Sequence, residues 1–408
     1  MRLPLNTGLA ISAPMVLVAL SCGQIDDSFF RGPNLAPVGD WNEDGASDFA
    51  VGDFTRARVL VLSGRDGEII RELKGKGDFG WGICSLGRSD SESRALVVST
   101  PKSGRVEIFT AESKKPVRVI EFAKGRPGWA MSAIEDFDED GDEDLLLAIP
   151  EYLESGEVVE GRAAVVSSGS GETLVRVESS EEHNRIGFAV APIGDLDGDS
   201  RSEILVGSVL SSEFKLYSGS DGAFVREFAR VGNGSPFHYV ARYSTQSGLV
   251  ALSDPDVGRG GVVALIQGDG QVLARLRGDY YGDRFGHSLT FIPGEKPAST
   301  PYLLIGAPGE IKAGGLPMMP LGEGEPTGDE KPGLVRLFSG ETHEQLWEYS
   351  RDVPGDWFGE AVCGLSDIDG DGATDCAALA QEKSGGPGIV VILSGKTGAP
   401  ILEARLPN

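Results

Sequence analysis

The sequence predicts an all-β fold, a seven-bladed β-propeller with four-stranded blades. Three observations carry that prediction: a hairpin pattern that recurs seven times, an acidic nine-residue loop that recurs four times in phase with it, and a composition suited to tight turns.

The hairpins read RVLVLSGRDGEIIREL, RVEIFTAESKKPVRVI, RAAVVSSGSGETLVRV, FKLYSGSDGAFVREF, GVVALIQGDGQVLARL, LVRLFSGETHEQLWEY and IVVILSGKTGAPILEA. Each is an apolar strand, a turn built mostly on Ser-Gly, and a second strand. Gly and Asp in such turns supply the positive φ angles that short hairpin loops require. With Gly64, Ala111, Gly169, Gly219, Gly268, Gly340 and Gly395 taken as equivalent, the steps are 47, 58, 50, 49, 72 and 55 residues. A period near fifty with four strands per unit is the signature of propeller blades. The 58 glycines and 23 prolines among 408 residues fit many turns and short strands, and 40% hydrophobic residues suffice for a sizeable core.

Within a unit, strand A begins with an FG-like dipeptide: Phe79-Gly80, Ile186-Gly187, Phe285-Gly286 and Phe358-Gly359, with weaker forms at Arg31-Gly32 and Pro127-Gly128. Strand B is strongly apolar (DFAVGD, DLLLAIP, EILVGS, YLLIGAP), and strands C and D form the hairpin. The B and C strands are continuous apolar runs, as expected where both faces of a sheet are covered by neighbouring blades.

Between A and B stand the acidic loops: DWNEDGASD (Asp40, Asn42, Asp44, Asp48), DFDEDGDED (Asp136, Asp138, Asp140, Asp144), DLDGDSRSE (Asp195, Asp197, Asp199, Glu203) and DIDGDGATD (Asp367, Asp369, Asp371, Asp375). Oxygen-bearing side chains at positions 1, 3, 5 and 9, with a main-chain carbonyl at 7, match the all-oxygen coordination that calcium prefers. Two carboxylates ~4 Å apart repel by roughly 4 kcal/mol at an effective dielectric of about 20, and a divalent cation turns that repulsion into a clamp. An EF-hand is excluded, because it needs a twelve-residue loop between helices. Position 6 is Gly in three loops and Ser200 in the fourth, which also ends in Glu203. The second, fifth and sixth units carry GRSDSESRA, ARYSTQSG and FIPGEKPAST instead, so four structural calcium ions are expected.

The order FG, then DxDxDGxxD, then GAP resembles the FG-GAP repeats of integrin α-chain propellers and their bacterial relatives. The resemblance spans residues 28–408. Gly306-Ala307-Pro308 is the one literal GAP; Val51-Gly52-Asp53 and Ala148-Ile149-Pro150 are degraded versions. It implies a seven-bladed propeller with calcium in the A–B loops.

Residues 1–22 match an export signal: Arg2, a thirteen-residue apolar stretch from Gly8 to Leu20, then small residues. Ala19-Leu20-Ser21-Cys22 resembles a bacterial lipoprotein box with Cys22 as the lipid anchor, although that box prefers Leu where Ala19 stands; ordinary cleavage is the alternative. The expected location is periplasm, outer membrane or cell surface, or secreted. No stretch is long enough for a transmembrane helix. Cys363 and Cys376 flank the last acidic loop and are read as a bridge or, preferably, as two buried thiols, with Cys84 in the slot equivalent to Cys363.

A net charge of −25 argues against nucleic-acid binding. No catalytic constellation appears: His183, His238, His287 and His343 are scattered, and no nucleophile motif or zinc spacing is present. Arg277-Gly278-Asp279 spells an adhesive tripeptide, yet Gly-Asp also precedes the FG at Gly77-Asp78, so it reads as a turn. The A–B and C–D loops share one face of the ring. The B–C and D–A loops share the other, with insertions at 151–161 and 309–332 and the aromatics Tyr280, Tyr281 and Trp357. That second face is the expected recognition surface. The expectation is a non-catalytic, monomeric binding or adhesion module for an extracellular or envelope protein or glycan. The alternatives are a propeller-based polysaccharide lyase or hydrolase, or a lectin, against which the lack of aromatics repeating in register counts.

Overall fold

Continuous apolar runs form the middle strands of each unit because both faces are covered. Arg58–Leu62, Asp144–Ile149 and Cys376–Ala380 are buried at every position, whereas the outer strand Pro400–Arg405 has only one buried residue. The computed structural model describes residues 35–407 apart from 89–90, 151, 155–156, 160, 179–185, 209–212, 232–238, 243–247, 256–259, 280–281, 295–299, 310–331 and 382–387.

The described strands form seven four-stranded antiparallel sheets, each a meander of consecutive strands A to D. The first strand of each blade is, in order, Leu35–Gly39, Ile83–Arg88, Met131–Ile134, Ile186–Pro192, Tyr239–Arg242, Ser288–Ile292 and Ala361–Gly364. Each of these A strands touches the A strand of the next blade, and the last touches the first, so the ring is closed around an axis lined by A strands. The core is seven separate clusters, one between each pair of neighbouring blades. A blade is therefore stable only between two others.

The seam between blades 7 and 1 shares no strand among the described residues. Leu35, Phe49 and Leu60 of blade 1 pack there against Leu379, Val390 and Ile392 of blade 7. At one end of the seam, Arg58 Nη2 donates to the carbonyl of Pro407 at 2.5 Å.

The FG dipeptide lies in the turn ahead of strand A in blades 2, 6 and 7, not within the strand as expected, and its glycine is left-handed there (φ 88°, 91° and 91°) as it is in blade 4, where Ile186-Gly187 opens the strand (φ 92°). A Cβ on Gly359 would sit 2.5 Å from the carbonyl oxygen of Leu334 in the preceding blade. The phenylalanine is wholly buried, and the glycine lets the turn touch its neighbour. Part of the 151–161 insertion in blade 3 is a small hairpin, Tyr152–Glu154 with Glu157–Val159. The export segment with Cys22, Tyr280, Tyr281, His183, His238 and most of the 309–332 insertion lie outside the described residues.

Cys363 faces blade 1 and Cys376 faces blade 6, on opposite sides of one sheet. Both are free thiols, and this placement excludes a bridge between them. Cys84 likewise faces the following blade, as Cys363 does.

Candidate metal centres

All four acidic loops close at their start by the same scheme, and three of them are also tied to the C–D turn. The acid at position 9 begins or precedes strand B and is buried: Asp48, Asp144 and Asp375 are 0% exposed and Glu203 2%. Its inner oxygen collects amides at the loop's start: Trp41 N (2.7 Å) and Asn42 N (3.3 Å) onto Asp48, Phe137 N (2.8 Å) onto Asp144, Leu196 N (2.6 Å) onto Glu203, Ile368 N (2.7 Å) onto Asp375. The other oxygen reaches across the rim to the C–D turn, accepting from Gly64 N (3.1 Å), Ser168 N (3.0 Å) and Gly395 N (2.9 Å). This confirms that A–B and C–D loops share one face. It also places the third turn's equivalent residue at Ser168, one earlier than the Gly169 read from sequence.

The acid at position 1 accepts from amides deeper in the loop: Gly45 N to Asp40, Gly141 N to Asp136, Ser200 N to Asp195 and Gly372 N to Asp367. Position 5 accepts from the residue two further on. In blades 1 and 7 the turn serines Ser63 and Ser394 also donate to Asp44 (3.2 Å) and Asp371 (3.1 Å). These serines read as turn residues in the sequence; only the hydrogen bonds reveal them as partners of position 5.

Two residues of every loop are left-handed. Position 4 is Glu43, Glu139, Gly198 and Gly370, and position 6 is Gly45, Gly141, Ser200 and Gly372. Ser200 holds φ 71° where the others use glycine, which costs about 1 kcal/mol.

The carboxylates converge. Oxygens of Asp136, Asp138 and Asp144 lie within 4.8 Å of one another, as do those of Asp195, Asp197 and Asp199, and of Asp367, Asp369 and Asp371. In blade 1, Asn42 replaces one acid and donates to Asp44 at 2.8 Å. Burial pushes the carboxyl groups of Asp48 and Asp144 up to about 6 against their amide hydrogen bonds, and it raises Asp375 and Glu203 as well. One oxygen of Glu203 is buried with no hydrogen-bond partner. Converging carboxylate oxygens beside a buried acid are a donor set that fits a hard cation such as calcium, and all sixteen expected side chains sit in these four loops.

Each loop also grips the following blade through residues that the sequence did not single out. At position 2, Trp41 Nε1 donates to the carbonyl of Arg94 in blade 2 (3.0 Å), and Phe137 lies under Arg201 of blade 4, 4.7 Å from ring centre to guanidinium. Leu196 rests on Gly268 of blade 5, and Ile368 on Gly64 of blade 1. Glu135, just ahead of loop 3, accepts from the hydroxyl of Ser202 (2.7 Å) and from its amide.

The second face differs. Contrary to the sequence reading, some aromatics repeat in register: Trp81, Trp129 and Phe188 each follow the glycine that opens strand A. With Phe54 they form a chain at ring separations of 5.0, 4.7 and 6.0 Å. Trp81 and Trp129 are 1% and 8% exposed, so they pack against their neighbours and present no open face for a sugar. Asp279 of the Arg-Gly-Asp stretch is tied to Arg336, and its amide donates to Asp283 (3.1 Å), so this tripeptide is a built turn. His287 is buried, and His343 is a left-handed turn residue on the metal-loop face. No described helix is long and apolar enough to cross a membrane.

No protein-family profile matches the chain. Integrin alpha-4 of Xenopus laevis is 28% identical over 158 residues, a match covering 36% of this chain and 15% of that protein. Among solved structures, BBS1N, from a crystal structure in complex with ARL6DN soaked with lead, is similar at a TM-score of 0.54 and 12% identity. That match covers 87% of this chain and 90% of the other, and it speaks for the fold. The chain is thus a seven-bladed propeller with partial sequence similarity to an integrin α chain.

Proposed function

We propose that the chain is an exported, calcium-stabilised propeller that acts as a single ring and binds a protein or glycan at the envelope or outside the cell, with no chemistry of its own. The observation that carries the calcium reading is the recurrence of one loop in four blades, each ending in a buried acid, which in blades 1, 3 and 7 spans two turns. A bound cation would supply the positive charge that these desolvated carboxylates lack. Asp40, Asn42, Asp44 and Asp48, with their counterparts in blades 3, 4 and 7, would hold it; the chain's own part is to fix the A–B turn to the C–D turn.

The adhesive role is supported by the similarity to an integrin α chain and by the division of the ring into two unlike faces. One face is tied down by acidic loops. The other carries the insertions and the D–A connections, and loops on a rigid scaffold are where recognition concentrates. Residues 1–22 serve as the export signal, with Cys22 as the candidate lipid anchor.

The test is a screen of glycans and envelope or extracellular proteins against the full chain, in calcium and in chelator. A ligand captured in calcium and lost on substituting second-face residues supports the reading. Turnover of a polysaccharide without retained binding would overturn it in favour of an enzyme.

A further inference from the structure

Six of the seven blade interfaces lie between blades that the chain joins directly, so each joined pair meets at high effective concentration. The seam between blades 7 and 1 has no such connection and no shared strand among the described residues. Both of its flanks carry an acidic loop. Ser366, just ahead of loop 7, accepts from the amide of Ser47 in loop 1 at 3.2 Å. Ile368, at position 2 of loop 7, lies so close to Gly64 of blade 1 that a Cβ there would be 3.2 Å from its Cδ1. The two partners of this contact are held by the two buried acids: Ile368 N donates to Asp375 (2.7 Å), and Gly64 N donates to Asp48 (3.1 Å).

We propose that the loops of blades 7 and 1 form a cation-dependent latch that closes the ring, with Ile368 as the residue that transmits closure across the seam. The inference rests on the calcium reading above. A cation in loop 7 would fix Asp375 and so the seat of Ile368; one in loop 1 would fix Asp48 and so the glycine that receives it. The Ile368–Gly64 contact and the Ser366–Ser47 bond join the two loops across the seam; Gly67 of the same blade 1 turn also lies against Ala404 and Leu402 of blade 7, away from loop 7. Blades 5 and 6 have no acidic loop on either side of their interface, which makes that interface the internal reference.

The test is hydrogen exchange on the full chain, in calcium and in chelator, with calcium binding followed by calorimetry. Local opening sets the exchange rate, so chelation is expected to speed exchange about tenfold in Leu35–Gly39 and Ala361–Gly364 while Tyr302–Ala307 of blade 6 changes little. Ile368→Ala is expected to keep calcium binding at all loops yet leave the seam exchanging fast even in calcium. Asp369→Asn, at an exposed ligand position, is expected to lose one calcium equivalent and give the same seam-specific change. A seam that stays protected in Ile368→Ala, or that loosens no more than blade 6 under chelation while calorimetry registers binding, overturns the latch alone. No calcium binding to the wild-type chain overturns the calcium reading and the latch together.

Discussion

Blades 3 and 6 have the same four-stranded meander and the same buried middle strands, but they turn from strand A to strand B by different means. Blade 3 uses an acidic loop whose Asp144 is desolvated and pushed up to about 6. Blade 6 uses a Pro- and Lys-containing connection, and it carries ion pairs between its strands. Its Arg336 is 6% exposed, meets Glu348 at 2.7 Å and also pairs with Asp279. The difference teaches that the acidic loop is not needed to make a blade. It serves to tie one turn to another and, through position 2, one blade to the next.

The largest effect that sharpens this contrast is chelation. A ligand bound only by the folded state at a hundredfold excess over its Kd adds about 2.7 kcal/mol per site, so removing calcium from four loops is expected to lower the melting temperature by many degrees. An unchanged melt in EDTA, together with no metal by elemental analysis, would erase the distinction between the two kinds of blade. Next comes a feature common to both kinds. Gly80→Ala in blade 2 and Gly359→Ala in blade 7 each force a side chain into a left-handed turn, within 2.7 and 2.5 Å of a carbonyl oxygen of the preceding blade. Each should cost about 2–4 kcal/mol in chemical denaturation, whether or not calcium is present.

Asp144→Asn is expected to remove one calcium equivalent by calorimetry and about 2 kcal/mol of stability in calcium, with much less lost in chelator. A loss that is equal in both media would make the loop a plain hydrogen-bonded turn. Arg336→Met should cost about 1 kcal/mol, since Glu348 and Asp279 are partly exposed, and that cost should be indifferent to calcium. The smallest effect is a gain: Ser200→Gly relieves a left-handed serine and should add about 0.5–1 kcal/mol while tightening the blade 4 site.

Much of this was legible in the chain. Seven hairpins, most of them turning on Ser-Gly, gave the blade count, because turn chemistry and apolar runs are local signals, and oxygen-bearing residues at positions 1, 3, 5 and 9 located all sixteen loop side chains. What escaped was whatever depends on a neighbouring blade. Phe137 and Ile368 look like spacer residues within their loops, and nothing local says that one sits under Arg201 and the other on Gly64. Trp81 and Trp129 were passed over because their register emerges only once the glycine before each is recognised as the same turn. The pairing of Ser168 with Asp144 corrected an alignment in which Gly169 had seemed the natural match. Residues 1–34 lie outside the described part of the structure, so the export reading stands on the sequence.

The opposed placement of the cysteines has a practical consequence. Thiols react as thiolates, and burial pushes Cys363 up to about 12 and raises Cys376 as well, so neither should be modified while its site stays packed; Cys84, pushed up to about 12 but only half-buried, should react ahead of them. Cys363 lies where blade 7 meets blade 1, Cys376 where blade 6 meets blade 7, and Cys84 where blade 2 meets blade 3. Peptide-resolved alkylation rates at Cys363 and Cys376 would thus time the breathing of two separate joints in the unaltered protein, with the half-buried Cys84 as the faster reference.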